Sequence, residues 1–341
     1  VGPELIFTPL PVARVDRLGP DAAAVTFEVP AAARARFDFR AGQWISLRRQ
    51  VDGRDVRRSY SLCTPAGGSL TIAVREPAGG GLFSSWLVHR VRPGDQVEVS
   101  GPAGAFGQGA PTGRALFVAA GAGIAPVLSV VATRLRDPRA RIRVVRVDRT
   151  PASALFTDEL DRLRAEHPDR LTVTPVWTRT PGGSRPTPEG WRQLLAAGGP
   201  LSGASGVWLC GPPDLVAVLR PVLASLGVPH RRVHAELFDV PEPPAPDAVG
   251  VSTVRVVAGG RTTVATVPRS AWLLDAARGS RPDVPWSCLG GMCGICRARV
   301  ADGEVDVVAN HQLSAADVAA GAVLTCRTRP VSPLVTVDFD A

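Results

Sequence analysis

The sequence predicts a multidomain protein of mixed α+β and α/β class: an antiparallel β-barrel or sandwich, then a parallel α/β sheet, then a small module built on a hairpin and a helix. Three observations predict it. The first 110 residues carry short apolar runs separated by Gly-Gly, Pro-Gly and Gly-Pro pairs, the punctuation of antiparallel strands. The next stretch alternates apolar strands with helical spacing, which implies parallel pairing through crossovers. A proline-rich run, Asp239–Asp247, then separates a third segment. It reads as an extended, semi-rigid tether.

Each element follows from its local pattern. In the first segment the strand candidates are Ala24–Val29, Gln43–Leu47, Leu70–Val74 and Gln96–Val99, with a helical stretch at Trp86–His89. In the second, strands are expected at Ala115–Ala119, Arg141–Val147, Leu171–Trp177 and Gly206–Leu209. Helices are expected near Val127–Leu135, Phe156–Glu166 and Asp214–Leu226. In the third, Thr253–Val257 and Thr262–Val267 form a hairpin around Gly259-Gly260, and Ala271–Ala277 is helical. The expected segments are 1–110, 111–238, a linker at 239–250, and 251–341.

Composition narrows the function. The chain has 341 residues and a net charge of +8, and every basic residue is Arg. Residues 111–240, with 17 arginines against 11 acids, hold most of the excess. No basic stripe with interleaved aromatics accompanies it, so a small polyanion is expected there and a nucleic acid is not. The uncharged stretch Ala115–Thr133 contains Gly121, Gly123 and Pro126. It reads as strand, turn and helix, with no membrane insertion. No signal peptide is read at the N-terminus, and a cytoplasmic location is expected.

Chemistry concentrates in four places. Cys288, Cys293, Cys296 and Cys326 have the spacing C-x4-C-x2-C-x29-C, the plant-type ligand pattern of a [2Fe–2S] cluster. Zinc and disulfides are the alternatives. Zinc sites usually pair two short-spaced ligand couples, and disulfides suit small secreted chains. The second place is Arg58-Ser59-Tyr60-Ser61, which holds the sole tyrosine, followed by Gly79-Gly80-Gly81-Leu82-Phe83-Ser84-Ser85. A glycine turn before a helix offers N–H groups to phosphate. The third is Gly121-Ala122-Gly123-Ile124-Ala125-Pro126, between a strand and a helix. The fourth is Cys210-Gly211-Pro212-Pro213, also at a strand's carboxyl end, where open α/β sheets bind ligands.

Taken in order, these strings, with Gly101-Pro102-Ala103-Gly104-Ala105-Phe106, resemble the ferredoxin–NADP⁺ reductase superfamily. With the cysteine pattern they are similar to its oxygenase reductase components, which end in a plant-type ferredoxin. That resemblance implies a flavin-binding antiparallel β-barrel, an NAD(P)-binding α/β domain and a β-grasp ferredoxin domain. It implies that Arg58 pairs with flavin phosphate, Tyr60 stacks on the flavin ring and Ser61 bonds near its reactive nitrogen. Val74 and Arg75 would line the flavin tail, and Gly81, Leu82, Phe83 and Ser84 the pyrophosphate. Gly121, Gly123, Ile124, Pro126, Cys210, Gly211 and Pro212 would shape the nicotinamide-dinucleotide site. Glu236 and Phe238 match the family's acidic–aromatic end, and Arg149 with Ser153 stands where NADPH users hold the 2′-phosphate.

The implied cofactors are FAD in preference to FMN, a [2Fe–2S] cluster, and NADPH or NADH, with NADPH favoured. Gly101–Phe106 and Asn310-His311-Gln312-Leu313 resemble the FAD-using group. The implied activity is NAD(P)H-dependent reduction, with single electrons passed to a terminal oxygenase of diiron, Rieske or cytochrome P450 type. A non-catalytic electron carrier is the alternative of another class.

Overall fold

The structure is a computed structural model that describes residues 6–107, 113–201, 203–238 and 249–341. The chain divides into a large unit, Phe7–Val56 with Tyr60–Asp239, and a small one made chiefly by Val240–Ala341. Of the expected linker at 239–250, residues 239–248 lie outside the described residues.

The large unit opens with strands β1 (Phe7–Gly19), β2 (Ala22–Phe27), β3 (Trp44–Val51), β4 (Arg54–Ser61), β5 (Leu70–Arg75) and β6 (Gln96–Ser100). Two short helices interrupt them, α1 (Arg34–Phe37) and α2 (Ser84–His89). The strand order is β4-β3-β6-β1-β2-β5, and an antiparallel bridge from Leu62 to Ile72 joins the two ends of that order. The sheet therefore curls into a barrel around Leu10, Val25, Ile45, Leu47, Ile72, Phe83 and Leu87. Strand β1 was not expected, because Pro9 and Pro11 break its pattern. Its residues 7–11 are in register with β6 and its residues 12–19 with β2, and Pro11 also accepts from Glu28 N–H. Pro9 thus sits where β1 has one partner strand and a missing N–H costs nothing.

The parallel sheet follows: β7 (Arg114–Ala120), β8 (Arg141–Asp148), β9 (Leu171–Trp177), β10 (Gly206–Gly211) and β11 (Val233–Leu237), in the order β11-β10-β7-β8-β9. Helices α3 (Ile124–Arg134), α4 (Thr157–Glu166), α5 (Pro188–Ala196) and α6 (Pro213–Ser225) connect the strands. Helix α5 was unforeseen, since Pro188 and Gly190 make it read as loop. Thr187 caps it by accepting from Gly190 N–H, and Trp191 and Leu195 are buried. Because β7 lies between β8 and β10, successive connections leave it in opposite directions. That makes a switch point and opens a crevice at the carboxyl ends of the strands.

The small unit contains β12 (Val251–Ala258), β13 (Arg261–Pro268), α7 (Leu273–Ser280), β14 (Arg297–Asp302), β15 (Val305–Val307), α8 (Ala315–Ala319), β16 (Ala322–Leu324), β17 (Thr328–Pro330) and β18 (Leu334–Asp338). Its main sheet has the order β13-β12-β18-β14-β16, with β12 and β18 parallel. Leu273, Leu274 and Ala277 of α7 pack on Val254, Val256, Val335 and Val337, the β-grasp arrangement. Among the described residues no helix is long and apolar enough to cross a membrane.

Candidate functional site

The end of β4 delivers Arg58, Ser59, Tyr60 and Ser61. Arg58 is exposed and donates to the Arg57 carbonyl at 2.7 Å. Tyr60 is half-buried, with its ring 6.3 Å from that of Phe83. Ser61 is buried and donates to Glu236 Oε1 at 3.1 Å. This bond links the barrel to β11, where Glu236 is in register with Cys210 of β10. The motif residues of barrel and parallel sheet therefore meet at one buried place. Burial pushes the Glu236 carboxyl up to about 7, and the Ser61 hydroxyl offsets part of that. Burial, and then the nearby Glu236, push the Cys210 thiol well up, so it stays protonated.

The glycine turn after β7 closes over the same place. A Cβ on Gly123 would lie 2.3 Å from the Cys210 carbonyl oxygen, so only glycine lets the turn lie against β10. Gly121 takes φ +55°, a region glycine enters without strain. Ile124 and Pro126 are buried within α3. Gly211 accepts from Phe238 N–H at 3.1 Å, and Pro212 precedes α6. Val74 is buried in the barrel core. Its side chain faces inward, so only its backbone can meet a ligand.

Arg75 turns toward the parallel sheet. Its Nη2 donates to the Ser153 carbonyl at 2.5 Å, and its Nε lies 3.5 Å from the Asp21 carboxylate. Ser153 Oγ donates to the Thr150 carbonyl at 2.9 Å and accepts from Thr150 N–H, which folds the turn at 150–153. The Ser153 hydroxyl is thus engaged inside the turn, while Arg149 stands exposed at the end of β8.

The loop before α2 is locked by residues that sequence reasoning missed. Ser85 Oγ accepts from Gly81 N–H at 2.8 Å and donates to Glu76 Oε1 at 2.5 Å. His89 Nε2 contacts the other Glu76 oxygen at 2.6 Å. The spacing of Ser85 and His89, one helical turn apart, was the available signal. Among the described residues, the N–H groups of Leu82, Phe83 and Ser84 donate to no protein acceptor. Three consecutive free donors fit a pyrophosphate, so the loop suits the flavin dinucleotide.

In the small unit the loop Cys288–Cys296 turns through Leu289, Gly291 and Gly294, at φ +57°, +73° and +75°. All four candidate cysteines are free thiols. Cys288 lies beside Cys293, and Cys296 beside Cys326. The neighbouring Cys293 thiol holds the Cys288 thiol down at about 6, and the N–H groups of Gly290, Met292 and Cys293 act in the same direction. Among the described residues no three acidic, His or Cys side chains converge as a single ion requires. Two thiol pairs fit a two-iron group, one pair for each iron. Sequence reasoning also missed how the stretch after Asn310 clamps this loop. His311 N–H donates to the Gly291 carbonyl at 3.2 Å, and the Gln312 side chain packs against Gly294.

Comparison with known proteins agrees with this geometry. An oxidoreductase FAD-binding domain matches residues 9–107, an oxidoreductase NAD-binding domain residues 117–220, and a 2Fe-2S iron–sulfur cluster binding domain residues 256–331. The chain is 32% identical to a component of the 1,2-phenylacetyl-CoA epoxidase of Escherichia coli K12, over 98% of each chain. It is 32% identical to the ferredoxin reductase component of 3-ketosteroid-9-alpha-monooxygenase from Rhodococcus rhodochrous, over 94% of this chain and 93% of that one. Among solved structures, an intact type IV self-sufficient cytochrome P450 monooxygenase matches with a TM-score of 0.75 at 25% identity. That match covers 97% of this chain and 41% of the longer one. The chain belongs to the family of reductases in which FAD-binding, NAD-binding and [2Fe–2S] domains follow one another in one polypeptide. It is an NAD(P)H oxidoreductase that takes FAD and a [2Fe–2S] cluster.

Proposed function

We propose that this reductase draws electron pairs from NADPH and delivers them singly to a separate terminal oxygenase. One observation carries the reading: Ser61 of the barrel and Glu236 of the parallel sheet share a hydrogen bond, with Glu236 in register with Cys210. Flavin-side and nicotinamide-side residues thereby converge on one buried spot, as hydride transfer between stacked rings demands. FAD, when bound, supplies the conversion of a hydride into two single electrons. Around it, Tyr60 would cover the ring and Arg58 pair with phosphate. Val74 and Arg75 would flank the tail through their backbone, and Leu82, Phe83 and Ser84 would offer N–H groups to the pyrophosphate. Glu236, protonated below about pH 7, would hold a proton at its carboxyl beside Ser61. Cys210, with Gly121, Gly123 and Pro126, would shape the nicotinamide slot, and Phe238 would border it.

Exposed Arg149 supports NADPH over NADH, because a guanidinium pairs bidentately with a phosphate. Cys288 with Cys293, and Cys296 with Cys326, would each hold one iron. The boundaries 1–110, 111–238 and 251–341 remain our proposal for the domains, and a cytoplasmic setting for the protein. The partner is an oxygenase of diiron or Rieske type. A cytochrome P450 partner is the second reading, favoured by the likeness to a self-sufficient P450. A carrier without catalysis is disfavoured by the free N–H cradle and the Ser61–Glu236 bond.

The visible spectrum of the purified protein tests the proposal. Flavin and cluster bands that bleach with NADPH, at a kcat/KM at least about tenfold above that for NADH, are expected. Cluster bands alone, unmoved by either nucleotide, would overturn the enzyme reading. Equal use of both nucleotides would remove the role given to Arg149.

A further inference from the structure

Arg327 follows the cluster ligand candidate Cys326 directly, and it is 5% exposed. Its stem lies against the cysteine loop: a Cβ on Gly291 would meet Arg327 Cγ at 3.0 Å. Its Nε is buried without an acceptor among the described residues. No ion pair joins it to a carboxylate there. The nearest compensation is the face of Trp272, whose ring centroid lies 5.4 Å from the guanidinium carbon. Arg329 stacks on the same ring at 4.0 Å, so that face is shared between two cations. The charge of Arg327 also reaches His311, whose pKa is lowered first by burial and then by this guanidinium.

A guanidinium is a permanent cation. Buried without an anion it is costly, and one shared aromatic face returns only part of that cost. Arg146, a cation of comparable depth in the parallel sheet, has Asp148 at 3.0 Å. Arg327 has no such ion pair, yet its stem lies against the loop that carries three of the four candidate ligand thiols. A cluster of two ferric ions, two sulfides and four thiolates bears two net negative charges, and three once reduced. That is an anion of the right sign, and its charge grows on reduction. Net charge around such a cluster is one of the factors that set its potential.

We propose that Arg327 is the built-in counter-charge of the [2Fe–2S] cluster and raises its reduction potential. This rests on the assignment of the four thiolates as ligands. The step concerned is the gain of one electron at the cluster, supplied by the reduced flavin, with no bond made or broken. A fixed positive charge stabilises the reduced form more than the oxidised one. Electrons are thereby drawn off the flavin.

The test uses the full-length holoprotein with R327Q, which removes the charge, and R327K, which keeps it. Iron content is measured first, and the cluster potential is then read by redox titration followed by electron paramagnetic resonance. R327Q is expected to lower the reduction equilibrium constant by at least about tenfold, a shift of about 59 mV for one electron. R327K is expected to stay within about threefold of wild type on the same scale. A fully loaded R327Q with the wild-type potential overturns the proposal. So does an R327K that shifts as far as R327Q, because packing would then be responsible. If R327Q loads cluster poorly while R327K loads fully, the anion needs its counter-charge and the proposal stands. If both fail alike, it falls. A wild-type protein without iron would sink the ligand assignment itself, and that result is separate from all of these.

Discussion

Glu236 is a carboxyl with its proton retained by burial, and that has a measurable sign. Its pKa in the folded chain is about 7, against an ordinary 4.5. Between those values the folded state holds a proton that the unfolded state has lost. This group's contribution to stability is fully present below about pH 4.5 and is lost as pH rises through about 7, by on the order of 3 kcal/mol in all. E236Q keeps the shape and removes the titration. Between about pH 5 and about pH 8 its thermal midpoint should fall less than that of wild type; parallel curves would contradict the assignment. Gly123 gives a second prediction at this scale. The atom that a new Cβ would strike, 2.3 Å away, is backbone and cannot swing aside. G123A should cost about 1–3 kcal/mol in denaturant unfolding and raise the KM for nucleotide. An unchanged midpoint and KM would refute the close-packing argument. The glycine motif was legible in the sequence because its spacing is local, and the iron–sulfur domain was legible from its cysteine pattern. The Arg75–Ser153 contact was not, since its partners are far apart in the chain and neither residue type announces the other.

Among the elements, those with clear periodicity were readable: β7 to β10, the hairpin of β12 and β13, and helices α3, α4, α6 and α7. Those missed had a specific tertiary excuse. Strand β1 hides Pro9 on a side that needs no hydrogen bond. Strand β4 carries three arginines and an aspartate because it ends the sheet order, and charge on such a strand discourages further pairing. Helix α5 depends on a threonine cap and two buried side chains, too little for pattern reading. Helix α2, expected at Trp86–His89, was not among those missed, although it has only six residues and its own propensity cannot hold it. Glu76, at the exit of β5, ties down both of its ends by way of Ser85 and His89. E76Q should therefore loosen the turn before α2 and weaken FAD binding about fivefold, read as flavin retained per chain after repeated dilution. Full retention would show that the lock is dispensable. The Arg281 side chain offers a contrast: it donates to the Ala258 and Arg261 carbonyls at the turn of the β12–β13 hairpin and to the Asp283 carboxylate.

On the scale of the whole molecule, electron transfer is divided among modules, so it should fail in stages. C293S should lose most of the about two irons per chain expected for the cluster. NADPH should still bleach its flavin, while cytochrome c reduction falls at least about tenfold. If iron is retained, Cys293 is no ligand; if flavin bleaching is lost too, the modules do not act in series. The order of the parallel sheet also has an engineering consequence. All of its strands run the same way, so each empties onto a single rim, and the framework below is indifferent to what the rim carries. If Arg149 holds the 2′-phosphate as proposed, exchanging the short bend at 149–153 as a cassette swaps one coenzyme for the other. The hydrophobic body beneath would need no repair.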